Sequence, residues 1–236
     1  TPYFILGNGS NLLVSDKGYR GAVIQIWKNM SEVSVEDETK IRAQAGAQLS
    51  KIASCALEQS LEGFEFAAGI PGTLGGAVVM NAGAYGGELK DVLVEATVLD
   101  TEGNVRTLKN EELELGYRHS IVTEKNYIVL EAVFELNKGS KEAISSQMRE
   151  LAGKRREKQP LEYPSAGSTF KRPEGYFAAK LIEDAGLKGF SVGGAAVSEK
   201  HAGFVINKDH GTAADILELC NEVKRRVKEN SGVDLE

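Results

Sequence analysis

The sequence has 236 residues, 42% of them hydrophobic, which is enough for one large domain or two smaller domains with packed cores. Its net charge is −6, and Lys and Arg are scattered apart from the run KRREK at 154–158, which argues against a general nucleic-acid-binding protein. No run approaches the ~18 apolar residues of a membrane span, no signal peptide is visible, and the three histidines form no Cys/His cluster of the kind that binds zinc.

Short β-branched or aromatic runs, bounded by Gly, Asn and Asp, predict strands in the first part of the chain. These runs lie at 3–6, 12–14, 22–26, 41–45, 92–100, 104–108 and 127–136. The last three are expected to pair within one sheet. Apolar residues at three- and four-residue spacing over 49–57 predict a helix.

Helical patterns become more frequent after about residue 137. Helices are predicted over 141–158, over 176–186 with Gly186 at its end, and from Thr212, where T-A-A-D resembles a capping box. Between the last two helices, the runs SVGGAAV and GFVI predict strands. We therefore place a domain boundary near 137–142. Cys55 and Cys220 fall within helical apolar patterns and are expected to be buried reduced thiols.

Two glycine-rich stretches predict that something lies very close to the backbone. Residues 69–88 contain seven glycines among apolar residues, although glycine inside a helix or strand costs about 0.5–1 kcal/mol relative to alanine. The turn at 6–16 could present its backbone N–H groups as a concave nest for a phosphate. Each stretch also has a simpler interpretation, which is a tightly packed bend for 69–88 and an ordinary β-turn for 6–16.

Two polar side chains among small neighbours are candidates for chemistry. Arg118, in GYRHS, could clamp a carboxylate or stabilise an enolate, because its guanidinium is a rigid fork of donors that stays charged. Ser168, in PSAGSTFK, could donate a proton or could be an ordinary loop hydroxyl. No His/Asp partnership accompanies Ser168, which argues against a nucleophilic serine.

Five motifs in order resemble one family, the UDP-N-acetylmuramate dehydrogenases, also called UDP-N-acetylenolpyruvoylglucosamine reductases, which are flavoenzymes of bacterial peptidoglycan precursor synthesis. The motifs are GNGSNLLVSDKGYRG, GIPGTLGGAVVMNAGAYGGE, GYRHS, REKQPLEYPSAGSTFKRPEGYFAAKLIEDAGLKG and GGAAVSEKHAGFVIN. They cover essentially the whole chain, which looks like the shorter subclass without the insertion. The resemblance implies an α+β fold, with an FAD-binding domain of the PCMH/vanillyl-alcohol-oxidase type at 1–137 and a smaller α+β substrate-binding domain at 138–236.

The resemblance also implies noncovalently bound FAD, NADPH as reductant, and UDP-N-acetylglucosamine enolpyruvate as substrate. In this family NADPH reduces the flavin, a hydride passes to the terminal methylene carbon of the substrate, and a proton is added at the neighbouring carbon to give UDP-N-acetylmuramate. The turn at 7–11 is expected to hold the FAD pyrophosphate, and 69–88 to wrap the cofactor. The expected FAD-binding residues are Gly7, Asn8, Gly9, Ser10, Asn11, Gly69, Ile70, Pro71, Gly72, Thr73, Gly75, Gly76, Asn81, Gly83, Ala84, Tyr85, Gly86 and Arg118.

The resemblance also implies a role for each polar residue that matches a position of the family's motifs. Arg118 corresponds to the family's arginine that stabilises the developing enolate, and Ser168 to the serine that donates the proton. Lys158, Ser168 and Lys171 are expected to bind the substrate. The chain looks truncated at both ends, because family members have several dozen residues before TPYFIL and carry a catalytic glutamate two positions beyond Glu236. We expect a cytoplasmic enzyme without a bound metal, nucleic acid or membrane partner, and the sequence leaves its oligomeric state unknown.

Two alternative functions stay open at this point. The chain could be an FAD-dependent hydroxy-acid or alcohol oxidase of the same fold, in which case NADPH would not reduce the flavin. As a truncated chain it could also be a noncatalytic fragment that binds a nucleotide sugar, in which case the protein would be colourless yet bind UDP.

Overall fold

The computed structural model describes residues 1–236, which divide into two units. The first unit comprises Thr1–Gly9 and Gly21–Gly153, and the second comprises Ser10–Arg20 and Lys154–Glu236. Both units contain helices and sheets, which confirms the α+β class. The functional domain limits of 1–137 and 138–236 stay a prediction.

A five-stranded antiparallel sheet in the order β3-β4-β10-β8-β9 forms the centre of the first unit. The strands of this unit are β1 (Tyr3–Leu6), β2 (Ala22–Gln25), β3 (Val33–Val35), β4 (Lys40–Gln44), β5 (Leu61–Glu62), β6 (Gly83–Ala84), β7 (Gly87–Glu88), β8 (Leu93–Leu99), β9 (Val105–Lys109), β10 (Ile128–Glu135) and β11 (Asn137–Lys138). Its helices are α1 (Leu49–Glu58), α2 (Leu74–Val79), α3 (Ile121–Glu124) and α4 (Lys141–Lys158), the last of which ends in the second unit.

Alternation along the strands gives this sheet a buried face and a charged face. In β4, Ile41 and Ala43 are buried, whereas Arg42 between them forms ion pairs with Glu36 and Glu131. On the buried face, the ring of Phe134 packs edge-on against Phe64, with 5.0 Å between the ring centroids. The predicted strands that correspond to β1, β2, β4, β8, β9 and β10 are confirmed, and so is the predicted helix α1.

The second unit packs two helices with a small antiparallel sheet in the order β12-β13-β14. Its elements are α5 (Ala178–Asp184), β12 (Ser191–Val192), β13 (Ala195–Val197), β14 (Val205–Asn207) and α6 (Ala213–Ser231). Val223 and Val227 of α6 are fully buried, as their helical spacing predicts, whereas Leu217, expected on the same face, is exposed and Leu219 is buried instead. Gly186 follows α5 with a φ of +71°, which confirms its predicted place at the end of that helix.

The segment Ser10–Arg20 belongs to the second unit because Asp16 caps helix α6. Its two carboxylate oxygens accept the N–H groups of Ala213 at 2.8 Å and Ala214 at 3.1 Å. Thr212 and Asp215 complete the end of the helix with the predicted capping box. The four backbone N–H groups from Thr212 to Asp215, which have no carbonyl partner within the helix, therefore all donate to side chains.

The prediction of a strand at 12–14 is wrong. This segment is irregular, and Leu12, Leu13 and Val14 are all exposed. Its apolar residues resemble a strand in the sequence, but no neighbouring strand pairs with them, and the segment instead leads to the cap that Asp16 provides.

No helix of the protein is long and apolar enough to cross a membrane. Cys55 and Cys220 are free thiols, as predicted, although each is partly buried rather than fully buried. Burial raises the pKa of both thiols, so both stay protonated at neutral pH.

Replacing Asp16 by alanine should lower the free energy of unfolding by about 1 kcal/mol, because two N–H groups of α6 lose their acceptors. Urea denaturation measures the loss, and hydrogen exchange at the amides of Ala213 and Ala214 locates it. Asp209→Ala, which removes a carboxylate from the same unit without removing a cap, serves as the control. Unchanged exchange at these two amides in Asp16→Ala would contradict the capping role.

Candidate active site

The predicted site residues divide between the two units. Gly7–Gly9, the stretch 69–88 and Arg118 lie in the first unit, whereas Ser10, Asn11 and the predicted substrate-binding residues lie in the second. The 69–88 stretch folds into a turn, helix α2 and the hairpin of β6 and β7.

The core of the first unit holds the glycine-rich stretch in place. The N–H groups of Leu74 and Gly75 donate to the carbonyl oxygens of Ala47 and Ala45, each at 2.8 Å. Leu74 and Val78 of α2 are fully buried. The position of α2 is therefore set by the core, whether or not a ligand is bound.

Several glycines are required by packing within the protein. A Cβ on Gly87 would lie 2.7 Å from the ring of Phe66, and a Cβ on Gly83 would lie 2.8 Å from the carbonyl oxygen of Gly87. A Cβ on Gly7 would lie 2.3 Å from Oγ1 of Thr73, so the first glycine-rich turn touches the second at this point. For these positions the simpler interpretation, a tightly packed bend, is sufficient.

Gly76 has no such internal reason to be glycine. It lies in helix α2, its surface is exposed, and a Cβ added there would meet no atom within 4 Å. Glycine inside a helix is less favourable than alanine by about 0.8–1.0 kcal/mol. The missing side chain leaves open space over this part of the helix surface, where a ligand could approach the backbone closely.

Asn81 follows α2 and is almost completely buried, with a φ of +40° that asparagine tolerates better than most residues. Its Nδ2 donates to Oε2 of Glu88 and to the carbonyl oxygen of Gly116, and its Oδ1 accepts the N–H of Lys90, each at 3.0 Å. The side-chain amide thus binds groups of the protein, and the predicted contact of Asn81 with FAD stays a prediction.

Arg118 lies at the tip of a tight turn, where Gly116 and His119 pair through two backbone hydrogen bonds. Its φ is +54°, its side chain is partly exposed, and the guanidinium carbon lies 5.3 Å from the centre of the Tyr117 ring. The ammonium of Lys90 holds the pKa of Glu88 below its usual range, and Asn81 and Arg118 lower it further. The positive charge of Arg118 therefore interacts with the carboxylate of Glu88, which Asn81 and Lys90 hold in place.

In the second unit, Ser168 is exposed on an extended segment that pairs with Phe204. The next residue anchors this segment, because the N–H of Thr169 donates to the carbonyl oxygen of Gly203 at 2.9 Å and its Oγ1 accepts the N–H of Val205 at 3.1 Å. Gly167 precedes Ser168 with a φ of +86°, which explains why a glycine stands there.

Lys171 lies three residues beyond Ser168 and forms an ion pair with Glu236, with 2.7 Å between Nζ and Oε1. This contact holds the pKa of Glu236 below its usual range. The N–H of Lys171 also donates to the backbone oxygen of Glu236 at 2.9 Å, so residue 236 lies beside the Ser168 segment. Lys158 is exposed in the last turn of α4.

Sequence reasoning missed three residues that organise these groups, namely Glu88, Ser120 and Thr169. Ser120 is fully buried, and its hydroxyl donates to the carbonyl oxygen of Val79 at 2.8 Å. A single sequence carries no signal for such bonds, because their partners lie up to 41 positions away along the chain. The one signal in the sequence is that all three residues lie within the motifs that resemble the family.

Two family profiles match the chain. One is described as "UDP-N-acetylenolpyruvoylglucosamine reductase, C-terminal domain" and matches residues 159–236, and the other is described as "FAD binding domain" and matches residues 1–109.

Similar proteins extend these matches over the whole chain. The chain is 59% identical over 246 residues to UDP-N-acetylenolpyruvoylglucosamine reductase of Agathobacter rectalis, an alignment that covers 100% of this chain and 78% of the relative. It is 58% identical to the protein of that name from Caldanaerobacter subterraneus subsp. tengcongensis, with 99% of this chain and 77% of the relative covered. The crystal structure of UDP-N-acetylenolpyruvylglucosamine reductase from Thermus caldophilus is 38% identical, has a TM-score of 0.87, and aligns with 99% of this chain and 84% of that chain.

Gly76→Ala should weaken FAD binding at least about tenfold, because the added methyl group takes space that the cofactor needs and overpacking costs about 1–3 kcal/mol. The same change should leave the FAD-free protein as stable as before or more stable by up to about 1 kcal/mol, because alanine favours the helix. Titration with FAD and thermal unfolding of the FAD-free protein measure the two effects.

Gly153→Ala is the matched control. Gly153 lies within helix α4, and a Cβ added there also meets no atom within 4 Å. This variant should gain helix stability and keep its affinity for FAD. Equal FAD affinities for the two variants would refute a cofactor contact at Gly76.

Proposed function

The chain belongs to the UDP-N-acetylenolpyruvoylglucosamine reductase family, and on this premise we propose how its residues perform the family's reaction. The protein is an FAD-containing, NADPH-dependent oxidoreductase that reduces UDP-N-acetylglucosamine enolpyruvate to UDP-N-acetylmuramate in peptidoglycan synthesis. Identity of 59% along the whole chain carries this conclusion and favours it over the oxidase and noncatalytic-fragment alternatives.

We propose that residues 1–137 bind FAD and that residues 138–236 bind the substrate. The turn at 7–11 and the stretch 69–88 would hold the cofactor, with Gly76 providing open helix surface for it. The contact between Gly7 and Thr73 supports this arrangement, because it brings the two glycine-rich segments together in the first unit. When bound, FAD supplies the hydride that it has taken from NADPH.

Arg118 is proposed to stabilise the negative charge that hydride addition leaves beside the substrate's carboxylate. A guanidinium can bind two oxygens of an enolate-carboxylate system at once, and it keeps its charge in any local environment. Its partly exposed side chain, carried on a tight and anchored turn, supports this role, because preorganised charge stabilises a transition state without a further cost of reorganisation.

Ser168 is proposed to donate the proton to the neighbouring carbon. A serine hydroxyl is a very weak acid, so it can act only where a strongly basic carbanion lies within hydrogen-bond reach. Its exposed position on a segment anchored by Thr169 supports this role. Lys158 and Lys171 are proposed to bind the anionic groups of the substrate.

We further propose that the enzyme acts in the cytoplasm and needs neither a membrane nor a nucleic-acid partner. The net charge of −6 and the scattered basic residues support this setting. The substrate and NADPH are both small, charged and water-soluble.

In the FAD-loaded protein, Ser168→Ala should leave flavin reduction by NADPH at its normal rate but slow reoxidation by the enolpyruvyl substrate about 10²- to 10⁴-fold. Stopped-flow absorbance of the flavin under anaerobic conditions separates the two half-reactions. Ser165→Ala, the same change three residues earlier in the same exposed segment, should affect neither half-reaction. Reoxidation of Ser168→Ala at the normal rate would show that the proton comes from another group.

Arg118→Lys should slow the same reoxidation step about 10²- to 10³-fold, because an ammonium keeps the charge but loses the fork of donors. Arg106→Lys, which changes another arginine of the first unit that pairs with Asp100, is the control and should keep its activity. Normal turnover in Arg118→Lys would exclude the proposed role of the guanidinium.

A further inference from the structure

The turn that carries Arg118 is strained enough to need support. Gly116 and His119 close it with hydrogen bonds of 3.1 and 3.2 Å, and Arg118 takes a left-handed φ of +54°. That conformation is unfavourable for a residue with a side chain. A turn of this kind keeps one conformation only when its surroundings hold both of its ends.

Two buried polar side chains hold those ends. The hydroxyl of Ser120, which is fully buried, donates to the carbonyl oxygen of Val79 at 2.8 Å. The amide of Asn81, which is 1% exposed, donates to the carbonyl oxygen of Gly116 at 3.0 Å. Both bonds connect the turn to residues 79–81, at the C-terminal end of helix α2.

Glu88 sets the orientation of this amide. Its Oε2 accepts from Nδ2 of Asn81 at 3.0 Å and lies 2.9 Å from Nζ of Lys90, whose backbone N–H donates to Oδ1 of the same asparagine. Every donor and acceptor of the amide thus has a partner that matches only one orientation. Fully satisfied buried networks of this kind select a single arrangement of the segments they join.

We propose that Asn81 and Ser120 are positioning residues that hold the Arg118 guanidinium at a constant place relative to the stretch 69–88. They act through the backbone of the turn, at residues 116 and 120, because their side chains bond to Gly116 and Val79 and not to the guanidinium. This proposal rests on the proposed function, in which Arg118 stabilises the enolate and 69–88 holds the flavin. It adds that the distance between these two elements is itself set by the buried pair.

The test is a double-mutant cycle on the FAD-loaded protein. Ser120→Ala removes only the bond to Val79 and should slow reoxidation by the substrate about 10- to 100-fold, since small displacements of a catalytic group have effects of this size. Flavin reduction by NADPH and the affinity for FAD should stay within about twofold of the parent. In an Arg118→Ala background the same substitution should cause no further slowing, because the group that it positions is already absent.

Asn81→Gly gives a second, independent test. Glycine accepts the φ of +40°, so the backbone is not strained, while both bonds donated by the amide are lost. Its slowing of reoxidation should follow the same pattern in both backgrounds, and it is measured at saturating FAD because Asn81 is also a predicted FAD contact. Ser54→Ala is the control, because it removes a hydroxyl that donates to the carbonyl oxygen of Ser50 at 2.9 Å in helix α1.

The outcomes separate this proposal from the one on which it rests. Equal slowing by Ser120→Ala in the parent and in Arg118→Ala would show a general structural role and overturn the positioning proposal. Normal reoxidation in both Ser120→Ala and Asn81→Gly, with Arg118→Ala slow, would overturn it while leaving the role of Arg118 intact. Normal reoxidation in Arg118→Ala itself would overturn both.

Discussion

The side chain of Asn81 donates two hydrogen bonds and accepts one, and together these bonds join three segments of the first unit. They connect the end of helix α2 with Glu88 at the end of the β6–β7 hairpin, with Lys90 just beyond it, and with the turn that presents Arg118. Because the amide is buried, each of its polar atoms must have a partner, and loss of one bond would leave an unsatisfied group that costs about 1–3 kcal/mol. Burial and hydrogen bonding within one unit therefore set the position of Arg118 relative to the glycine-rich stretch.

The glycines of the 69–88 stretch serve two different purposes. Gly83 and Gly87 are needed because a side chain would collide with neighbouring protein atoms, whereas Gly76 faces open space. Composition alone cannot separate these cases, since both look like the same excess of glycine. Only part of the stretch leaves open helix surface, which we propose for the cofactor, and the remainder packs against neighbouring protein atoms.

The fold was predictable where the signal is local. Alternation of apolar and polar residues predicted β4, and apolar residues at helical spacing predicted α6 together with the capping box at Thr212. The prediction of a strand at 12–14 was wrong because an apolar run becomes a strand only if another strand pairs with it. Asp16 capping a helix almost 200 positions later could not be predicted, because that bond depends on how distant segments meet. The candidate site shows the same division, because Arg118 and Ser168 are predicted from motifs whereas the buried hydrogen bond of Ser120 is seen only in the structure.

The most direct test of this account follows the visible spectrum of the purified protein after incubation with FAD and removal of unbound flavin. NADPH and then UDP-N-acetylglucosamine enolpyruvate are added in the absence of oxygen. The account predicts that the flavin absorbance is retained, is bleached by NADPH and returns when the substrate is added. A protein that stays colourless, or a bleached flavin that recovers only on exposure to oxygen, would contradict it.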